Sequence, residues 1–202
     1  MLIDYDLKEL LAKIVYYGPG LSGKTTNLLF IFNKFDDESK GELITLQTDI
    51  ERTIFFDIIP LKVGNIGGFQ TRFQLYTVPG QTQYNTMRRI VLKNVDGIVF
   101  VADSQNEMKY KNKDSLINLS ENLSYYKISI KQIPFVFQYN KRDLPNISSI
   151  EEINKYLNQN GHLFFEASAI NGIGVMETLK EISKLTLHSI KNKILARKED
   201  LE

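Results

Sequence analysis

The sequence predicts an α/β fold: a six-stranded, mostly parallel sheet with one antiparallel edge strand and helices on both faces. Three observations carry this. Short β-rich apolar runs alternate with longer amphipathic ones along the 202 residues, the pattern of a parallel sheet covered by helices. Two of the β-rich runs are joined by Gly64-Asn65-Ile66-Gly67-Gly68, which is hairpin chemistry and makes one strand antiparallel. No repeat or low-complexity linker divides the chain, so residues 1–202 read as one domain of ordinary size.

In chain order, Ile14 to Tyr17 reads as a buried strand ending at Gly18, and Thr25 to Phe35 as a helix with Leu28, Leu29 and Phe32 on one side. The hairpin runs are Ile54 to Val63 and Phe69 to Val78. Pro60 places the first of them at a sheet edge, where a missing N–H is tolerated. Val95 to Val101 and Phe135 to Tyr139 are further strands, with a helix between them over Asp114 to Ile130. Ser148 to Asn158 reads as a helix capped by Ser148 or Ser149, with Glu151 and Glu152 at its positive end and Gly161 beyond its close. Leu163 to Ala167 is the last strand. Val175 to Ala196 is the last helix, its apolar positions recurring at three-, four- and five-residue steps.

Composition narrows the function. Hydrophobic residues make up 43% and charged residues 24%, enough for a full core. Lys and Arg number 25 against 24 Asp and Glu, a net charge of +1, which speaks against nucleic acid as the partner. Cysteine is absent, which excludes disulfides, thiolate metal sites and a Cys nucleophile and suits a reducing, cytoplasmic setting. No apolar run approaches the length of a membrane span, and the acidic start Met1 to Asp6 lacks the basic segment of a leader. Lys191, Lys193, Arg197 and Lys198 crowd the final helix, but Glu199 and Asp200 beside them argue against a stable membrane anchor. His162 and His188 read as surface residues, since a lone His makes no metal site.

The chemistry is expected in the loops after the strands. Gly18-Pro19-Gly20-Leu21-Ser22-Gly23-Lys24-Thr25 fits G-x-x-x-x-G-K-[ST], with a strand before it and a helix after it. Its glycines let the backbone curl so that several N–H groups converge on one anion. Lys24 would reach the β- and γ-phosphates, the Thr25 hydroxyl would ligate Mg²⁺, and the helix would present its positive end. A Gly-rich turn into a helix is the bland alternative.

Asn140-Lys141-Arg142-Asp143 follows the strand Phe135 to Tyr139 and fits N-K-x-D. Guanine shows two donors on one edge, N1–H and the 2-amino group, and a carboxylate accepts both. Asp143 would therefore select guanine over adenine, because a mismatched base leaves its polar partners unpaired. Asn140 would tie this loop to the phosphate loop, and the Lys141 stem would cover the base. Ser168-Ala169-Ile170 comes just after the next strand, and the Ala169 N–H would meet the guanine O6.

Together these residues resemble the Ras-like small GTPases, a P-loop NTPase family, over essentially the whole chain. Within that family the resemblance is closer still to the bacterial gliding-motility branch of MglA type. The carriers are Gly18 to Thr25 with Thr26 and Asn27, Glu51-Arg52-Thr53-Ile54-Phe55-Phe56-Asp57, Leu75-Tyr76-Thr77-Val78-Pro79-Gly80-Gln81 and Asn140 to Asp143. The resemblance implies a GTP-hydrolysing switch that binds GTP or GDP with Mg²⁺. It further implies polarity or motility effectors, placement at cell poles, and a roadblock-fold, MglB-like dimer that accelerates hydrolysis. One departure stands out: most of the superfamily has Asp where Thr77 opens Thr77-Val78-Pro79-Gly80, and a hydroxyl brings no charge to the metal site.

On this resemblance Gln81 would orient the attacking water and the Gly80 N–H would contact the γ-phosphate, with Gly20 leaving room for the glutamine. Thr53 would close on Mg²⁺, with Thr48 the other candidate in a polar stretch of uncertain register. Resemblance to the MglA branch suggests Arg52 as an internal arginine finger; a solvated charge paired with Glu51 or Asp49 is the alternative. Two rival readings remain. One is a GTP-binding scaffold with negligible turnover, which Thr77 favours. The other is an ATP-using enzyme such as a kinase, against which Asn140 to Asp143 speaks.

Overall fold

The computed structural model describes residues 2–4, 8–35, 44–45, 57–66, 68–81 and 84–199. Alternation along the strands builds two apolar cores, one on each face of one sheet. In β2 (Glu9–Tyr17), Leu10, Ala12, Ile14 and Tyr16 point to one face, while Val15 and Tyr17 point to the other. β6 (Gly97–Asp103) splits the same way, with Val99 and Val101 opposite Ile98, Phe100 and Ala102. The first core is closed by α1 (Lys24–Lys34) and α5 (Val175–Glu199), through Leu28, Ile31, Leu179 and Ile182. The second is closed by α2 (Asn85–Leu92), α3 (Lys109–Tyr125) and α4 (Ile150–Leu157), through Val91, Leu119, Leu123 and Ile153. Each such side chain contributes roughly 1.5–3 kcal/mol when fully buried.

Among the described residues the sheet has eight strands rather than the six expected. Five run parallel in the order β5 (Phe69–Thr77), β2, β6, β7 (Phe135–Asn140), β8 (Phe164–Glu166). Three are antiparallel where one was expected. β4 (Asp57–Ile66) forms the hairpin with β5, β3 (Ile44–Thr45) pairs outside β4, and β1 (Leu2–Asp4) pairs with Glu9–Leu11 of β2. The extra strands are three and two residues long, too short to show a period of two in sequence. β2 begins five residues earlier than the apolar run because both its flanks are partnered there. β3 reaches only Asp57 and Ile58, so Pro60 lies past it on that flank.

Other boundaries move too. β4 continues through Gly64, Asn65 and Ile66 after a register shift between Lys62 and Gly64, so the turn is shorter than the five residues expected. Val63 is the extra residue at that shift, and Gly64, which reads as turn chemistry, stays paired with Thr71. α3 begins five residues before Asp114 and ends at Tyr125, since Lys127 takes a φ of +58° and the chain leaves the helix there. α2 is a helix the sequence reading did not identify; it is eight residues long and its buried face includes an arginine, Arg88. Residues 54–56 of the expected hairpin strand lie outside the described residues.

Candidate functional site

Because β5, β2, β6, β7 and β8 are parallel, their carboxyl ends lie along one edge of the sheet. The chain leaves that edge five times, and four of the exits carry residues expected in the site.

The first exit is the phosphate loop. Gly18 and Gly23 have φ of +147° and +96°. A Cβ on Gly18 would collide with the Val101 carbonyl oxygen, and one on Gly23 with Asn140 Nδ2. These are left-handed conformations at close backbone approaches, and they require glycine. Leu21 also takes a left-handed φ, +62°, with its side chain 89% exposed, a strained position the motif spacing did not signal. The Lys24 ammonium lies within the curve, donating to the carbonyls of Gly18 at 3.1 Å and Pro19 at 2.7 Å. Burial, with Arg88 nearby, lowers its pKa to about 7. Ser22 Oγ is buried without a hydrogen-bond partner. α1 starts at Lys24, so Thr25 and Thr26 sit half-buried in its first turn. A curled backbone with an ammonium inside it, an orphaned hydroxyl and a helix N-terminus is a donor set that suits a polyphosphate.

The second exit, after β5, lies directly on the first. A Cβ on Gly80 would collide with the Gly20 backbone. The segment bearing the exposed Gln81 is thereby held against the phosphate loop. Thr77 is fully buried at the end of β5, in register with Tyr16. Arg52, Thr53 and Thr48 lie outside the described residues.

The fourth and fifth exits, after β7 and β8, are clipped to the first by one side chain. Asn140 is buried; its Nδ2 donates to the Ser22 carbonyl at 2.8 Å and its Oδ1 accepts from the Ala169 N–H at 2.8 Å. One amide therefore fixes the distance between the phosphate loop, the base loop and the Ser168-Ala169-Ile170 turn. The Ala169 N–H, the donor expected to face a guanine O6, is engaged by Asn140 in this structure. Gln138 braces the same junction from the sheet, donating to Asn27 at 2.9 Å and Thr178 at 3.1 Å. Ser168 and Ala169 are buried, Ile170 is 76% exposed, and Asp143 is exposed. Lys141 has a left-handed φ of +66°, and its ammonium pairs at 2.6 Å with Asp103 at the end of β6, the third exit. Asp103 was not among the residues singled out from the sequence, although a lone acid closing the apolar run of β6 is a readable signal.

His162 is a further correction. Its ring is half-buried, with its centroid 4.9 Å from that of Phe135. Desolvation, and then the charge of Lys131, holds its pKa below 6.5. His188 is exposed, as expected. Among the described residues no cluster of three His, Cys, Asp or Glu is present, and no helix is long and apolar enough to cross a membrane.

Comparison with known proteins agrees with this geometry. The Ras family model matches residues 13–188. The mutual gliding-motility protein MglA of Myxococcus xanthus is 53% identical over 189 residues, covering 94% of this chain and 97% of that protein. The Ras-related protein Rab-32D of Dictyostelium discoideum is 26% identical over 186 residues, covering 89% of this chain and 75% of that protein. A Ras and EF-hand domain-containing protein homolog of Mus musculus is 25% identical, with the match covering 26% of its length. A parallel sheet with a phosphate loop clipped to a guanine-type loop defines a small GTPase, and the chain belongs to the Ras family.

Proposed function

We propose that this GTPase is a molecular switch for cell polarity or motility, binding partners according to whether it holds GTP or GDP. The observation that carries the reading is its likeness to a gliding-motility protein along almost the full length of both chains. In this reading Gly18 to Thr26 hold the phosphates and Asp143 reads the guanine edge. Asn140 fixes the spacing between them, while Lys141 and the turn at Ser168, Ala169 and Ile170 enclose the base.

Hydrolysis needs a water placed in line with the γ-phosphorus and an offset for the charge that develops there. The Gln81 amide both accepts from and donates to water, and Gly80 holds it against the phosphate loop. Arg52 would offset the developing charge from within the chain, worth roughly 10³–10⁵ in rate when in place. The hydroxyls of Thr25 and Thr53 would hold Mg²⁺, which neutralises phosphate charge. Thr77 adds no charge to that ion, consistent with slow turnover until a roadblock-type, MglB-like dimer engages. The protein acts in the cytoplasm and reaches the cell poles through partners.

A second reading, a GTP-binding scaffold without turnover, draws on Thr77. Single-turnover phosphate release with and without a roadblock-type dimer separates the two. The switch predicts release that the dimer accelerates and that Gln81→Ala and Arg52→Ala each largely abolish, with GTP still bound. Release that neither substitution changes contradicts the mechanism, and no release at all favours the scaffold.

A further inference from the structure

Asp103 is a buried carboxylate that the mechanism above does not use. It ends β6, in register with Asn140 at the end of β7, so it sits beside the base loop without belonging to it. Its side chain has no exposed surface. Its backbone is held from both sides by Asn112, whose Oδ1 accepts from the Asp103 N–H at 3.0 Å and whose Nδ2 donates to the Asp103 carbonyl at 2.8 Å. The carboxylate accepts from the Gln105 N–H and from its side-chain amide, each at 3.1 Å, and from the Lys141 ammonium at 2.6 Å. The acceptor is therefore rigid, while the donor is a long side chain on a left-handed residue.

A lysine stem can lie against a purine only if it is ordered, and a lysine loses more rotamer freedom on ordering than most residues do. A fixed carboxylate at the far end of that stem removes the disorder before any ligand arrives. Pre-ordering of this kind raises affinity by cutting the cost of binding.

We propose that Asp103 is a positioning residue of the base site: it clamps the Lys141 ammonium so that the lysine stem forms a preset wall for the purine of a guanine nucleotide. The proposal rests on the guanine reading of Asn140 to Asp143. It assigns Asp103 no contact with the nucleotide.

The test is the dissociation rate of a fluorescent GDP in the presence of magnesium, measured on the full chain. Asp103→Asn keeps shape and removes charge, and should speed release about tenfold, equivalent to about 1.4 kcal/mol. Lys141→Met keeps an unbranched stem and removes the ammonium, and should speed release to a similar extent. The double variant should be no faster than either single one, since both remove the same clamp. Gln105→Ala should leave the rate unchanged. Effects of Asp103→Asn and Lys141→Met that simply multiply in the double variant overturn the clamp. So does an equal effect from Gln105→Ala, which would mean Asp103 merely holds its own turn. If Asp103→Asn does not fold, an unchanged rate for Lys141→Met overturns the clamp, and a tenfold faster one supports it. Asp143→Ala, assayed for GDP against ADP, tests the base reading separately: retained discrimination there faults that reading and not the clamp.

Discussion

At Gly23 the backbone takes a φ of +96°, and a Cβ would run into the side chain that ties three loops together. Gly23→Ala therefore carries both a conformational penalty and the loss of the bond from Asn140 to Ser22. It should destabilise the fold by about 2–3 kcal/mol in urea unfolding and lose nucleotide affinity. Gly20 gives the opposite case. A Cβ there would meet nothing closer than 3.8 Å, at Gly80. Gly20→Ala should unfold within about 0.5 kcal/mol of the parent, so a fall in GTP hydrolysis by this variant would report on the Gln81 segment and not on the fold. The motif was legible because such glycines are demanded by geometry. The hydrogen bonds of Asn140 were legible in part: its reach to the phosphate loop followed from its place in the motif, whereas its capture of the Ala169 N–H depends on how two strand ends meet in space.

Among the elements, α4 was read together with its cap and α2 not at all. α4 carries a capping box, in which Ser149 Oγ accepts from the Glu152 N–H at 3.2 Å and the Glu152 carboxylate accepts from the Ser149 N–H at 2.9 Å. Ser149→Ala should cost about 1 kcal/mol of stability in thermal or urea unfolding. α2 has no such cap and is held by a polar junction instead. Tyr17, the last residue before the phosphate loop, donates to Asn118 at 2.6 Å, and Asn118 and Asn122 of α3 both donate to Asn85 of α2. Asn122 also donates to the Tyr17 oxygen at 3.2 Å. Asparagines scattered over 37 residues give no periodic signal, so a helix anchored this way is invisible to pattern reading. Asn122→Ala removes its bonds to Tyr17 and Asn85, each of which keeps Asn118 as a partner, and should cost about 1–2 kcal/mol by urea unfolding.

For the whole molecule, the apolar alternation of β2, β6 and β7 fixed the sheet and its two cores. The length and number of the antiparallel strands were set by tertiary pairing that the sequence does not display. The half-burial of His162 belongs to this scale as well, because Phe135 and Phe137 of β7 come to it from a distant part of the sequence. Its pKa is depressed in the fold, so the neutral ring is favoured there. The stability this confers is present above about pH 6.5 and is lost as pH falls through the folded value. Urea unfolding at pH 7.5 and 5.5 should show the parent weakening with acid. His162→Phe, which keeps the packing without the titration, should weaken less.

One sheet edge brings the phosphate loop and the loop proposed to read guanine to a spacing fixed by Asn140. Calorimetry of the nucleotide-free protein with magnesium, titrated in turn with GDP and ADP, tests this most directly. GDP should bind and ADP should bind about 10⁴-fold more weakly. Equal affinity for the two, or no heat from GDP, would contradict it.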